Sequence, residues 1–255
     1  MSASLDDKGR ASRARAEQAM RARPLFELET LIETLPRVRP FGARLSRQAG
    51  PHPRIIAGVE RPVGPADAGQ VPYRPRQIAM GYARVGAAAL SVATEPDESG
   101  GDIDHISEVR PAHLPILRND YLVTPYQIAQ SRVAGADAVL LIARLLAGAA
   151  LGIMVQAAQR YGVEALVEAR DEEDLARAVE AGASLLSVDL RGDALLRSPE
   201  RLPPRTIKVA HGGFDGRSDA DRLCSAGFDA LLVDGPRVHA ADPADALWAL
   251  LQPAS

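Results

Sequence analysis

Cysteine is nearly absent. Cys224 stands alone in 255 residues, which excludes an intrachain disulfide framework and suits a reducing compartment. Lysine is almost as scarce: of 30 basic residues only Lys8 and Lys208 are lysines, so lysine-dependent chemistry has two candidates. Long apolar runs are also missing. The longest, over 136–154, is broken by Asp137 and Arg144, and no membrane span is predicted. The opening stretch MSASLDDKGRASRARAEQ lacks the apolar centre of a secretory signal, and a cytoplasmic location is expected. Nor is there an excess of one charge sign. A net charge of −3 and a pI near 6.0 give no reason to expect nucleic acid or an anionic membrane as partner.

What is present is an ordinary globular composition, 46% hydrophobic and 25% charged. A phrase recurs as RVGAAALSV (84–92), VAGADAVLLI (133–142), EAGASLLSV (180–188) and SAGFDALLV (225–233), with a weaker copy at 160–169. In each, a helical pattern stops at a glycine and an apolar run begins within a few residues. Gly86, Gly135, Gly182 and Gly227 lie 49, 47 and 45 residues apart, and each interval holds two such turns. One strand–helix unit every 22–25 residues predicts repeated right-handed crossovers and a parallel sheet.

Strands are expected at 54–60, 87–94, 114–119, 137–143, 164–169, 184–190, 206–211 and 230–234. Eight strands alternating with helices predict an α/β fold, a (β/α)8 barrel; no GxGxxG follows the first strand to suggest a dinucleotide fold. The barrel is assigned to residues 51–255. Residues 1–50, with ten basic against six acidic side chains, form an arginine-rich extension. Its start is expected to fray, and one amphipathic helix is predicted from the spacing of Leu25, Leu28, Leu31, Ile32 and Leu35. No aromatics interleave its charges as a nucleic-acid-binding arm would need.

Barrel enzymes carry their chemistry at the C-terminal ends of the strands. Those ends here present Glu60-Arg61, Ser91 to Glu95, Arg118-Asn119-Asp120, Arg144, Glu168 with Arg170, Asp189 and Arg191, His211-Gly212-Gly213, and Asp234-Gly235. Loop residues meeting water explain Arg144 and Arg170 well. Glu168 is different, because ALVEA sets it inside the strand pattern, where a carboxylate needs a partner or a task.

The stretches YARVGAAALSVATE, LPILRNDYLVTPYQIAQSRVAGADAVLLIARLL and LVEARDEEDLARAVEAGASLLSVDLR resemble indole-3-glycerol phosphate synthase. That family of (β/α)8 enzymes cyclises, decarboxylates and dehydrates a phosphorylated anthranilate derivative in tryptophan biosynthesis. The resemblance runs over roughly 54–250 and implies the barrel. It also exposes departures. Where the family has Ala-Glu-Ile-Lys-Arg after strand one, this chain has Ala57-Gly58-Val59-Glu60-Arg61; the catalytic lysine is replaced by Glu60. After strand three the family's Leu-Arg-Lys-Asp-Phe becomes Leu117-Arg118-Asn119-Asp120-Tyr121, so an amide stands where the general acid belongs. Ser91 and Glu168 match the family's serine and catalytic glutamate, and Arg191 matches its arginine. Asp189 replaces an asparagine, His211-Gly212-Gly213 replaces Glu-Ser-Gly, and Asp234-Gly235 replaces the Gly-Ser of a phosphate-binding loop. A carboxylate 4 Å from a phosphate charge costs about 4 kcal/mol at an effective dielectric of 20.

Three readings follow: a true synthase, a non-catalytic binding or regulatory barrel, and an enzyme with a rewritten site on the same scaffold. Because most replacements are ionisable rather than apolar, the third is favoured. It is a lyase or cyclase acting in specialised metabolism on a small anionic or carbonyl-containing molecule, which need not be phosphorylated. Glu168, His211, Asp189 and Glu60 are the candidate catalytic residues, His211 titrating near neutral pH. Ser91, Arg118, Asn119, Arg191, Gly212, Gly213, Asp234 and Gly235 are the candidate substrate contacts. No ligand spacing demands a metal, no cofactor is implied, and the partner expected is a small-molecule substrate, with the protein a monomer or homodimer.

Overall fold

A computed structural model describes residues 4–46, 54–61, 73–192, 199–214, 216–235 and 243–251. Eight strands close into a barrel in sequential order, every neighbouring pair parallel: β1 (Arg54–Val59), β2 (Ala89–Ala93), β3 (Ile116–Asn119), β4 (Ala138–Ile142), β5 (Glu164–Ala169), β6 (Leu185–Asp189), β7 (Ile207–His211) and β8 (Ala230–Val233). This is the (β/α)8 architecture expected, each strand within two residues of its predicted bounds. The repeated glycines do what their spacing implied. Gly86 and Gly135, at φ 96° and 99°, stop α4 (Pro75–Val85) and α6 (Pro125–Ala134) in the left-handed conformation and turn the chain into the next strand. The remaining helices of the ring are α5 (Asp104–Val109), α7 (Ala150–Tyr161), α8 (Glu172–Glu180), α9 (Arg217–Ala226) and α10 (Pro243–Leu251). Residues 193–198, in the connection from β6 to β7, lie outside the described residues; Pro199–Arg201 form one 3-10 turn.

Successive strand residues face opposite ways, so each strand divides its side chains between two apolar layers. Ile56, Ala89, Leu117, Leu140, Leu166, Leu185, Val209 and Leu232 fill the barrel interior. The alternate residues pack outward against the helices. The N-terminal end of the barrel is closed by α3 (Phe41–Leu45), whose Phe41 and Leu45 are fully buried. Glu164, the first residue of β5, accepts hydrogen bonds from the backbone N–H groups of Phe41 at 2.6 Å and Gly42 at 3.2 Å, holding the plug by its N-terminal donors.

The front of the chain is more ordered than its composition suggested. Besides the expected amphipathic helix, α2 (Leu25–Thr34), residues Leu5–Ala22 form α1, opened by a capping box between Ser4 and Asp7. The packed face of α1 is Ser12 and Ala16, too small and polar to register as a hydrophobic stripe. Polar contacts fasten it instead: Lys8 pairs with Glu98 at 2.7 Å and donates to the Tyr121 hydroxyl at 3.1 Å, and Arg15 pairs with Asp97. The boundary assigned at 50/51 falls outside the described residues.

Candidate active site

The same alternation that fills the barrel selects what stands at its mouth. Continuing the inward-facing positions to the C-terminal strand ends brings Glu60, Asn119, Glu168, Asp189, His211 and Asp234 into one ring. His211 is its centre. Its Nδ1 lies 3.0 Å from Glu168 Oε2 and its Nε2 lies 2.7 Å from Asp234 Oδ2. With a carboxylate accepting at each nitrogen, both carry protons and the ring is an imidazolium. Burial opposes that charge, but the hydrogen bonds and attraction of Asp234 and Glu168 outweigh it and lift the pKa to about 10. The expectation that His211 titrates near neutral pH is therefore corrected: the clamp, invisible before folding, keeps it cationic. Burial would raise the pKa of Asp234, yet its bond to His211 lowers it below the usual carboxylate value. Among the described residues no hydrogen bond engages the second oxygen of Glu168.

Asp189 is committed elsewhere. Its Oδ1 accepts from Arg191 Nε at 2.8 Å and from the Arg191 backbone N–H at 3.0 Å, and Arg170 approaches Oδ2 at 3.7 Å. Burial works against its charge, but the Arg191 contacts hold its pKa below the ordinary value. Asp189 thus orients the guanidinium of Arg191, which lies against Gly212: a Cβ there would come within 2.8 Å of Arg191 Nε. Gly213 turns at φ 63° beneath it. Glu60 reaches across to the last loop and accepts the Gly235 N–H at 2.7 Å. An internal carboxylate thereby occupies a backbone donor of the kind that binds phosphate in such barrels. Gly58 permits the approach of β1 to β8, since a Cβ would sit 3.0 Å from the Val233 carbonyl oxygen and 3.2 Å from Asp234.

Beneath the ring, Ser91 and Ser187 point into the barrel with buried hydroxyls that have no hydrogen-bond partner among the described residues. Buried polar groups without a partner are rare in native interiors and call for an explanation. Ser187 was not singled out from sequence; its position two residues before Asp189, on the same strand face, is the signal that would have found it. Asn119 faces the mouth, its amide without a hydrogen-bond partner among the described residues. Arg118 does not belong to the site. As the residue before Asn119 it points outward, donating to the buried Thr94 at 2.9 Å and Asp120 at 2.7 Å and to Gln130 of α6 at 3.0 Å. Its assignment as a substrate contact is corrected for that reason. Arg144, likewise, pairs with Asp171 and Asp174 beside α8. Among the described residues no group of three or more His, Cys, Asp or Glu is arranged to hold a metal ion. No helix among them is long and apolar enough to cross a membrane.

The family described as Indole-3-glycerol phosphate synthase matches residues 7–250. An indole-3-glycerol phosphate synthase of Carboxydothermus hydrogenoformans is 40% identical over 187 residues, covering 69% of this chain and 71% of that protein. One from a Parafrankia species is 34% identical over 240 residues, covering 90% and 88%. Among solved structures, a thiamine phosphate pyrophosphorylase from Pyrococcus furiosus superposes with a TM-score of 0.55 at 16% identity, covering 77% of this chain and 93% of that one. That likeness carries the fold alone.

Proposed function

Since the chain belongs to the indole-3-glycerol phosphate synthase family, we propose that it is a lyase or cyclase whose chemistry runs on Glu168, His211 and Asp234 instead of on lysines. The observation that carries this reading is the imidazolium of His211 held between two carboxylates at the barrel mouth. A cation with a pKa of about 10 has the proton-donating character of a lysine, and Glu60 and Asn119 stand where the family places its lysines. In the proposed mechanism Glu168 Oε1 removes a proton from the substrate while Oε2 keeps its bond to His211. Asp234 relays the Nε2 proton of His211 in one concerted transfer to the leaving oxygen or to the carbon left by decarboxylation, so that no free protonated Asp234 forms. The cycle closes when Glu168 gives its proton to solvent and the neutral imidazole takes one up through Asp234, which restores the imidazolium. Arg191, aimed by Asp189, binds a carboxylate or carbonyl of the substrate, and Ser91, Ser187 and Asn119 orient its remaining polar atoms.

The substrate class follows from the last loop. Glu60 on the Gly235 N–H and Asp234 beside it disfavour a phosphate there, which supports an unphosphorylated carboxylate or carbonyl compound, as in specialised metabolism. The relatives' names favour a second reading, the tryptophan-pathway reaction itself, with His211 substituting for the missing acid. Metabolite profiling tests catalysis on a substrate not yet identified. Purified protein and its Glu168→Gln variant are incubated with a small-molecule extract. Glu168-dependent consumption of a compound, giving a product lighter by water or carbon dioxide or an isomer, is expected. Identical profiles would leave a non-catalytic barrel.

A further inference from the structure

At the N-terminal end of the barrel, opposite the mouth, a cavity of about 480 Å³ opens between the connection from α2 to α3, the C-terminal end of α6 and the start of β4. Four arginines line it, Arg37, Arg39, Arg110 and Arg132, against one carboxylate, Asp137. That carboxylate is already occupied. It accepts the backbone N–H groups of Arg39 at 2.7 Å and Ile116 at 2.9 Å, with the Arg39 guanidinium 3.6 Å away. The other interactions of the arginines do not neutralise them. Arg39 donates to the Leu114 carbonyl at 2.9 Å, Arg110 to the Gly135 carbonyl at 3.0 Å, and Arg132 to the Pro36 carbonyl. Arg37 is exposed and has no ion-pair partner among the described residues.

Arg132 is the least expected of the four. It is 8% exposed, yet its Nε–H is buried with no acceptor among the described residues, an arrangement that native interiors avoid. Burial lowers its pKa, Asp137 partly offsets this, and the neighbouring Arg110 lowers it further. Three guanidinium charges in excess of carboxylate, one with an unmet donor, surround a space of the size that small-molecule sites occupy. Guanidinium forks match the oxygens of phosphate in paired hydrogen bonds. Leu35, Val38 and Val133 supply an apolar wall beside them.

We propose that this cavity binds a small metabolite through its phosphate or diphosphate group, which meets Arg132 Nε and the forks of Arg37 and Arg110. The site is independent of the reading given for the mouth, and the two are separable by mutation. The test is isothermal titration of the full chain with pyrophosphate, and in parallel with inorganic phosphate, at ionic strength held constant with chloride. One saturable site is expected, with a matching rise in melting temperature. Arg37→Gln and Arg110→Gln, both at exposed positions, should each weaken binding roughly tenfold, and Arg132→Lys, which keeps the charge but lacks the Nε donor, should do the same. Because Arg132 also holds the Pro36 carbonyl, the two exposed variants keep the test decisive if Arg132→Lys folds poorly. Absence of saturable binding by either anion would overturn the proposal. So would binding that survives in the Arg37→Gln/Arg110→Gln double variant but is lost in Arg191→Gln at the mouth.

Discussion

Raising the pH should dismantle the clamp around His211, and the structure sets both the window and the size of the effect. The imidazolium has a pKa of about 10 in the folded protein against 6.5 for the free side chain. A group whose folded pKa is raised stabilises fully below its unfolded value and loses that contribution as pH rises through the folded one. The stabilisation is therefore complete below pH 6.5 and declines toward pH 10. At about 1.4 kcal/mol for each unit of displacement, the loss is on the order of 3–5 kcal/mol, the range found when one partner of a buried ion pair is removed. Urea unfolding followed by far-ultraviolet circular dichroism at successive pH values measures it directly. His211→Asn should be less stable at neutral pH and should lack the decline, since neither carboxylate then has its cation. Ring chemical shifts offer a check independent of folding energetics: of the five histidines, His211 should remain doubly protonated at pH 8. Flat wild-type stability from pH 6.5 to 10, or a His211 ring that deprotonates near neutrality, would refute the clamp.

Glu168→Gln should leave the fold intact and lower kcat/KM by about 10²–10⁴, the usual cost of losing a positioned proton-transfer group, as read by steady-state kinetics on any substrate the profiling yields. Arg118→Ala should behave oppositely, since it strands the buried Asp120 carboxylate beneath α6: a loss of about 3–5 kcal/mol in denaturant unfolding, with kcat/KM of the surviving folded protein unchanged. Ser91→Ala and Ser187→Ala remove hydroxyls that have no partner, so thermal stability should be unchanged or slightly higher while KM rises. On the acid side, Asp234 has a folded pKa below 3.8, so its contribution is present above that value and lost as pH falls through the lowered one; Asp234→Asn should flatten that part of the stability profile.

How much of this was legible before folding depended on the physics of each feature. Strands buried on both faces read as unbroken apolar runs, and left-handed glycines mark where helices stop, so the barrel stood out. Helix α1 did not, because it is held by Lys8, Ser12 and Arg15 rather than by an apolar stripe. Strand-end polar residues located the mouth and put Glu168 and His211 among the candidate catalytic residues. Strand alternation turns Glu168, His211 and Asp234 alike toward the mouth, but that both carboxylates close on the two nitrogens of one imidazole depends on side-chain geometry that alternation does not fix. Arg118 was misjudged by one position. Adjacent strand residues face opposite ways, and if Asn119 faces the mouth Arg118 cannot. The strand face of Ser187 was readable from Asp189 two residues on, but its unpartnered hydroxyl is a property of the packing around it.

The reading that this barrel has exchanged its family's lysines for a carboxylate–imidazolium–carboxylate array is tested most directly with the family's own substrate. The purified protein is supplied with the phosphorylated carboxyphenylamino-deoxyribulose compound, and formation of indole-3-glycerol phosphate is followed by fluorescence, alongside complementation of a tryptophan auxotroph. The account predicts no useful turnover and no growth, because Glu60 and Asp234 oppose the phosphate and Asn119 supplies no proton. Robust turnover, or rescue of the auxotroph, would contradict it and establish the chain as a working synthase.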